Sequence, residues 1–146
     1  MKMKFASLVL AIGIGLVSGC APGNADSVAL TSAAETLSTM PFDSSAEVTV
    51  HARVASTVWP ERLAGMIVVE AAGTDQKYAF STAGVPAMAK QGLTRFSLKP
   101  GDEIIVTGVL ANGNLKVGSG FDAARADLIT RTDGTHLFDR TRLPVK

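Results

Sequence analysis

One cysteine, Cys20, is all the thiol chemistry that 146 residues contain. An intramolecular disulfide is therefore excluded, and the fold must be held by its own apolar core. Histidine is nearly as scarce, with His51 and His136 far apart in the chain. No His-x-x-x-His pair or carboxylate cluster stands at ligand spacing, so neither a metal centre nor a cofactor is expected. Aromatic residues are few, with Trp59, Tyr78 and six phenylalanines. Binding single-stranded nucleic acid takes several stacking rings on a basic groove. Here fourteen basic and thirteen acidic side chains nearly cancel, so no nucleic-acid partner is expected. Nucleophilic catalysis lacks its parts too: there is no Gly-x-Ser-x-Gly elbow and no second thiol. Asp102-Glu103 is a carboxylate pair, but neighbours entering a strand point to opposite faces. Gly118-x-Gly120 lacks the Lys-Ser/Thr of a phosphate cradle and reads as a glycine-kinked strand. No catalytic residue is assigned, and the chain is not expected to be an enzyme.

The longest apolar run lies at the start. Lys2 and Lys4 precede an uncharged stretch over 5–17, closed by Ser18-Gly19-Cys20. A bilayer span needs about 20 apolar residues, so this layout predicts a secretory signal rather than a membrane helix. Val17-Ser18-Gly19-Cys20 resembles the lipobox of bacterial lipoproteins. The resemblance implies a diacylglyceryl group on the Cys20 thiol, cleavage before Cys20, and acylation of the new terminus by chains of the palmitate kind. It also accounts for the lone cysteine. Membrane lipid is thus the expected partner of Cys20, with the domain facing the periplasm. Ala21 rather than Asp after the cysteine resembles the sorting pattern for the outer membrane over the inner. Loss of Lys2 and Lys4 leaves twelve basic and thirteen acidic side chains, a net charge of about −1.

The lipobox resemblance implies a signal peptide over 1–19 and a lipidated Cys20, while composition predicts a flexible tether over 20–45 and a folded domain over 46–146. The tether is rich in Ser, Thr and Ala, with few large apolar side chains. As a coil its reach is about 25–30 Å. Ser32 with Glu35 forms a capping-box pattern that could open one helical turn.

From Glu47 to Val54 polar and apolar residues alternate, predicting a half-buried strand with Val48, Val50, Ala52 and Val54 inward and His51 and Arg53 outward. Strands are expected at 65–70 and 77–81, joined by the Gly73-Thr74-Asp75-Gln76 turn as an antiparallel hairpin. Pro86, the Ala-Met-Ala-Lys stretch and Gly92 predict a short helix. Pro100-Gly101 turns the chain into a strand at 103–110, with Ile104, Val106 and Gly108 inward and Ile105 outward. Asn112-Gly113 opens a hairpin to 115–117, and strands at 124–130 and 136–138 follow. The order strand, strand, strand, helix, strand, strand predicts a mainly β fold, a small OB-like five-stranded Greek-key barrel with its helix between strands 3 and 4. A small open sandwich or meander is the competing architecture.

Trp59-Pro60, Gly92-Leu93-Thr94-Arg95, the run Leu98-Lys99-Pro100-Gly101-Asp102-Glu103-Ile104-Ile105-Val106-Thr107-Gly108 and Asp133-Gly134 resemble a family of small exported bacterial proteins of unknown function. The resemblance runs from Ala46 to Phe138 and implies an OB-like barrel and an exported location but no activity. Relatives carry Asn-Pro-His after the tryptophan, where this chain has Pro60-Glu61-Arg62. No role of that histidine is carried over.

OB barrels bind across their second and third strands and the flanking loops. This selects Trp59, Arg62, Tyr78 and Arg95 as candidate contacts. Trp59 beside Pro60 and Arg62 is either an exposed contact or a lid over one end of the core. The sequence favours a non-catalytic domain binding a small molecule or an envelope protein. The alternative is a structural or assembly accessory of an envelope complex, without a ligand pocket.

Overall fold

The computed structural model describes residues 22–118 and 120–143. The signal peptide expected over 1–19, and the lipidation expected at Cys20, lie outside the described residues. The elements are α1 (Pro22–Ser38), β1 (Phe42–Val58), β2 (Ala64–Ala71), β3 (Lys77–Gly84), α2 (Val85–Lys90), β4 (Glu103–Ala111), β5 (Lys116–Val117), β6 (Phe121–Arg131) and β7 (His136–Asp139).

The expected five-stranded Greek-key barrel is corrected to one seven-stranded sheet. Its path is β3-β2-β1-β4-β6-β5, it branches at β6 to take in β7, and β3 also pairs with β6 in parallel. A path that ends on β5 and branches at β6 is not the five-strand order read from the sequence. Two features account for the difference. Strand β1 is seventeen residues long, and β6 begins at Phe121, before the alternation recognised at Ala124. Gly118 and Gly120 adopt positive φ in the turn between β5 and β6, so they end one strand and start another rather than kinking a single one. The short helix α2 does stand between β3 and β4, with Pro86 in its first turn and Gly92 at φ +92 just past its end.

The segment expected as a tether is folded. Helix α1 occupies most of it, with Ser32 and Glu35 in its interior rather than at a cap, and β1 starts at Phe42, before Ala46. The sheet explains why a helix is needed there. Met66, Ile67, Val68 and Val69 in β2 are all buried. Alternate residues of a strand face opposite sides. Ile67 and Val69 point into the principal core with Val54, Phe80, Ile104, Val106 and Ile129. Met66 and Val68 point the other way, into a second cluster with Ala79, Val117 and Ala123. Helix α1 covers that second face through Ala33, Ala34 and Leu37. Small side chains on both sides permit a close approach, and a fully buried Leu contributes about 1.5–3 kcal/mol.

Strand β6 carries a bulge that sets its inward pattern. Ala124 and Ala126 are inward, yet so is Ile129, an odd step further. The register slips between Thr107/Leu128 and Gly108/Ala126, leaving Asp127 as the extra residue. Gly108 permits this approach, because a Cβ there would run into the Arg125 carbonyl. Arg140 fastens the seam between β3 and β6. Its guanidinium donates to the Thr82 carbonyl at 2.9 Å and the Ala126 carbonyl at 3.0 Å, and pairs with Asp127 at 3.1 Å.

In β4, Ile104 and Val106 are fully buried while Ile105 is half-buried on the other face. Ile104→Ala is expected to lower unfolding free energy in urea by about 2–5 kcal/mol. Ile105→Ala should lower it by much less. Equal losses would show that the second face of β4 is packed as tightly as the first.

Candidate binding site

The structure does not gather the four residues selected from the sequence. Trp59 follows the end of β1, its ring half-buried against the principal core. Its Nε1–H donates to Thr57 Oγ1 at 2.8 Å, and the ring lies over Gly65, where a Cβ would stand 3.4 Å from Cε3. Tyr78 lies at the opposite end of the β2–β3 hairpin, paired with Val69. It is 8% exposed and stacks on Phe80 with ring centroids 5.5 Å apart. Burial, and then the charge of Asp122, raises its phenol pKa above the ordinary value. Arg62 is exposed between β1 and β2, and Arg95 is exposed beyond α2. The outer face of β2 and β3, expected as the binding face, is the one that α1 covers.

A site that the sequence did not single out lies at the junction of β1, the β2–β3 turn and the start of β4. It is a cleft of about 340 Å³ lined by His51, Arg53, Glu70, Thr74, Glu103 and Thr132, among others. The register builds it. Arg53 stands opposite Glu70 of β2 and also opposite Glu103 of β4. Glu70 in turn faces Lys77 of β3, with 3.7 Å between the charged atoms. Across four strands the charges therefore alternate as Lys77, Glu70, Arg53 and Glu103. Arg53 itself makes no ion pair or side-chain hydrogen bond among the described residues, which leaves its five donors available. His51 shares the outward face of β1 two residues away, as the alternation predicts. The outward positions were legible in the sequence. Their neighbours were not, because cross-strand pairing is set by register.

A second polar constellation stitches the start of β3 to β6. Gln76 Nε2 donates to Asp122 Oδ2 at 2.8 Å, and Lys116 Nζ donates to Asp122 Oδ1. Burial alone would raise the Asp122 pKa, but the hydrogen bonds from Gln76 and Lys116 and the lysine charge outweigh it and hold the carboxyl below its ordinary value. With its acceptors engaged, Asp122 reads as a structural tie. Among the described residues, no three His, Cys, Asp or Glu side chains come together as metal ligands.

A family model described as "Family of unknown function (DUF6152)" matches residues 25–119. No curated protein matches the chain, and no solved structure does. This corrects the resemblance drawn from Trp59-Pro60 and the Leu-Lys-Pro-Gly-Asp turn. The matched region begins inside α1 rather than at Ala46, it leaves out Asp133-Gly134, and the sheet is not the five-stranded barrel which that resemblance implied.

Because the folded-state pKa of Asp122 is depressed, its contribution to stability is present above the unfolded value, 3.8, and is lost as pH falls through the folded one. Asp122→Asn should lower the melting temperature at neutral pH and flatten its fall in acid. Parallel curves for wild type and variant between neutral and strongly acidic pH would remove the tie from the account.

Proposed function

This chain belongs to the DUF6152 family of unknown function, and we propose that it is a lipid-anchored, non-catalytic binding module of the bacterial envelope. It faces the periplasm from a membrane, the outer one by the Ala21 pattern, and takes a small molecule of mixed charge in the Arg53 cleft. The anchor rests on Lys2, Lys4, the apolar run to Val17 and the Val17-Ser18-Gly19-Cys20 ending. Two or more acyl chains give stable membrane attachment. Among the described residues, no helix is long and apolar enough to cross a membrane. Helix α1 starts at Pro22, so one residue separates its first turn from Cys20.

The observation that carries the binding reading is the row Glu70, Arg53, Glu103 along the cleft. A guanidinium between two carboxylates offers a planar fork to a ligand carboxylate and two acceptors to a ligand ammonium. Amino acids and short peptides carry both groups.

Two measurements check the two halves separately. Cys20→Ser is expected to abolish incorporation of labelled acyl chains and leave an uncleaved or soluble product. Membrane partition unchanged in that variant, with a mature terminus elsewhere, would end the anchor reading. For the cleft, a panel of free amino acids and dipeptides is expected to include some that raise the melting temperature, since a ligand bound only to the folded state stabilises it. Arg53→Ala should change the unliganded stability by under about 0.5 kcal/mol, as exposed substitutions do, and should remove the rise. A rise that survives Arg53→Ala would move the site elsewhere.

A further inference from the structure

The loop between α2 and β4 carries the most exposed large apolar side chain among the described residues, Phe96, at 81%. Single exposed apolar residues are common on protein surfaces. This one differs in how it is held. Leu93 and Leu98 on either side are buried in the principal core, so Thr94 to Ser97 stand out as a finger fixed at both shoulders. The finger is also tied within itself. The Thr94 N–H donates to Ser97 Oγ at 2.9 Å, and Ser97 Oγ donates to the Gly92 carbonyl at 3.0 Å. The Phe96 N–H donates to Thr94 Oγ1 at 3.2 Å, and the Ser97 N–H to the Thr94 carbonyl at 3.0 Å. Arg131 Nη2, from β6, holds the Ser97 carbonyl at 2.9 Å. These bonds fix the backbone from which the exposed Phe96 ring projects.

Charge within the finger's own segment of chain has one sign. From Gly84 to Gly101 the chain contains Lys90, Arg95 and Lys99 and no acidic residue. All three cations are exposed, and none forms an ion pair among the described residues. Asp102, the next acid, is turned back to the Lys99 N–H at 2.9 Å and lies 4.0 Å from Arg131.

We propose that this finger is a membrane contact. Phe96 enters the headgroup boundary of an anionic phospholipid bilayer while Arg95, Lys99 and Lys90 meet lipid phosphates. Phenylalanine is one of the side chains that interfacial segments bury at the headgroup and acyl boundary beside a basic polar face. Each basic side chain near an anionic surface adds attraction that falls off within a Debye length. The contact does not depend on acylation of Cys20, so its failure and the failure of the anchor reading are separable.

The test uses the chain from residue 20 onward with Cys20→Ser, which contains every described element and cannot be acylated. Flotation with vesicles of phosphatidylethanolamine and phosphatidylglycerol should recover the protein at low salt. Vesicles of phosphatidylcholine alone should recover far less. Phe96→Ser is expected to weaken binding about tenfold and Arg95→Gln about fivefold. Because Phe96 is solvent-exposed, the melting temperature of Phe96→Ser should match wild type, which separates lost contact from lost fold. Phe96→Trp should show a blue-shifted emission with anionic vesicles that wild type, reporting only through Trp59, does not. Absence of flotation with anionic vesicles would overturn the proposal, whether or not the finger captures a protein. Binding undiminished in Phe96→Ser, or no blue shift in Phe96→Trp, would overturn it as well.

Discussion

Strand β1 changes partners along its length. From Phe42 to Arg53 it is hydrogen-bonded to β4, and from Ala52 to Val58 it is hydrogen-bonded to β2. Only Ala52 and Arg53 have a paired residue on both sides. Beyond them β1 slips register between Val54 and Ser56, the local bending that a bulge provides. Gly101 and Asp102 fasten onto Val54 there, through the Gly101 N–H to the Val54 carbonyl and the Val54 N–H to the Asp102 carbonyl, both at 2.8 Å. The turn that leads into β4 is thereby set against β1. The cleft is a by-product of that changeover: where two neighbours flank one strand, their outward side chains meet around Arg53.

The same economy appears in β6. One side is paired with β4, while the other takes β3 over Asp122 to Arg125 and β7 over Leu128 to Thr130. The bulge at Asp127 falls in the interval between β3 and β7. A carboxylate there meets Arg125 at 3.0 Å and Arg140 at 3.1 Å. Burial, and then the proximity of Arg125, lowers the Arg140 pKa, and Asp127 opposes both. The guanidinium also lies over the Phe138 ring, 5.6 Å from its centroid. A mostly buried cation is costly unless paired and hydrogen-bonded. Arg140 meets that condition by satisfying the two carbonyls that the change of neighbour leaves open.

Strand identity was largely legible from the sequence, because alternation is a local signal. Val50, Ala52 and Val54 were expected inward and are buried, and so are Ile104 and Val106. Helix α2 was readable from Pro86 and Gly92. What failed was non-local. The unbroken apolar run Met66-Ile67-Val68-Val69 demanded cover on both faces, and that demand was present in the sequence. Its answer, α1, was disguised because its buried positions are Ala33, Ala34 and Leu37 rather than a stripe of large aliphatics. Read as a polar tether, those residues left the outer face of β2 and β3 free and pointed to Tyr78 as a surface contact. The structure covers that face and turns Tyr78 inward. The charged row through Arg53 depends on registers between strands distant in sequence, and no local pattern records them. The aromatic finger could have been suspected from Arg95-Phe96 between two buried leucines, but the exposure of Phe96 depends on Ser97 and Thr94 closing the turn.

Strand β7 has four residues and a neighbour on one side only. At its last residue, the N–H of Asp139 donates to Gln91 Oε1 at 2.8 Å and its carbonyl accepts from Gln91 Nε2 at 3.1 Å. A side-chain amide presents the same donor and acceptor as a peptide group, so Gln91 occupies the place of a neighbouring strand's residue. Unpaired strand margins recruit other chains, and natural proteins blunt them by shortness or cover. Under the anchoring proposed above, copies held in one plane of membrane would meet margin to margin far more often than copies free in solution. A short strand whose end is already taken by Gln91 gives such encounters little to extend.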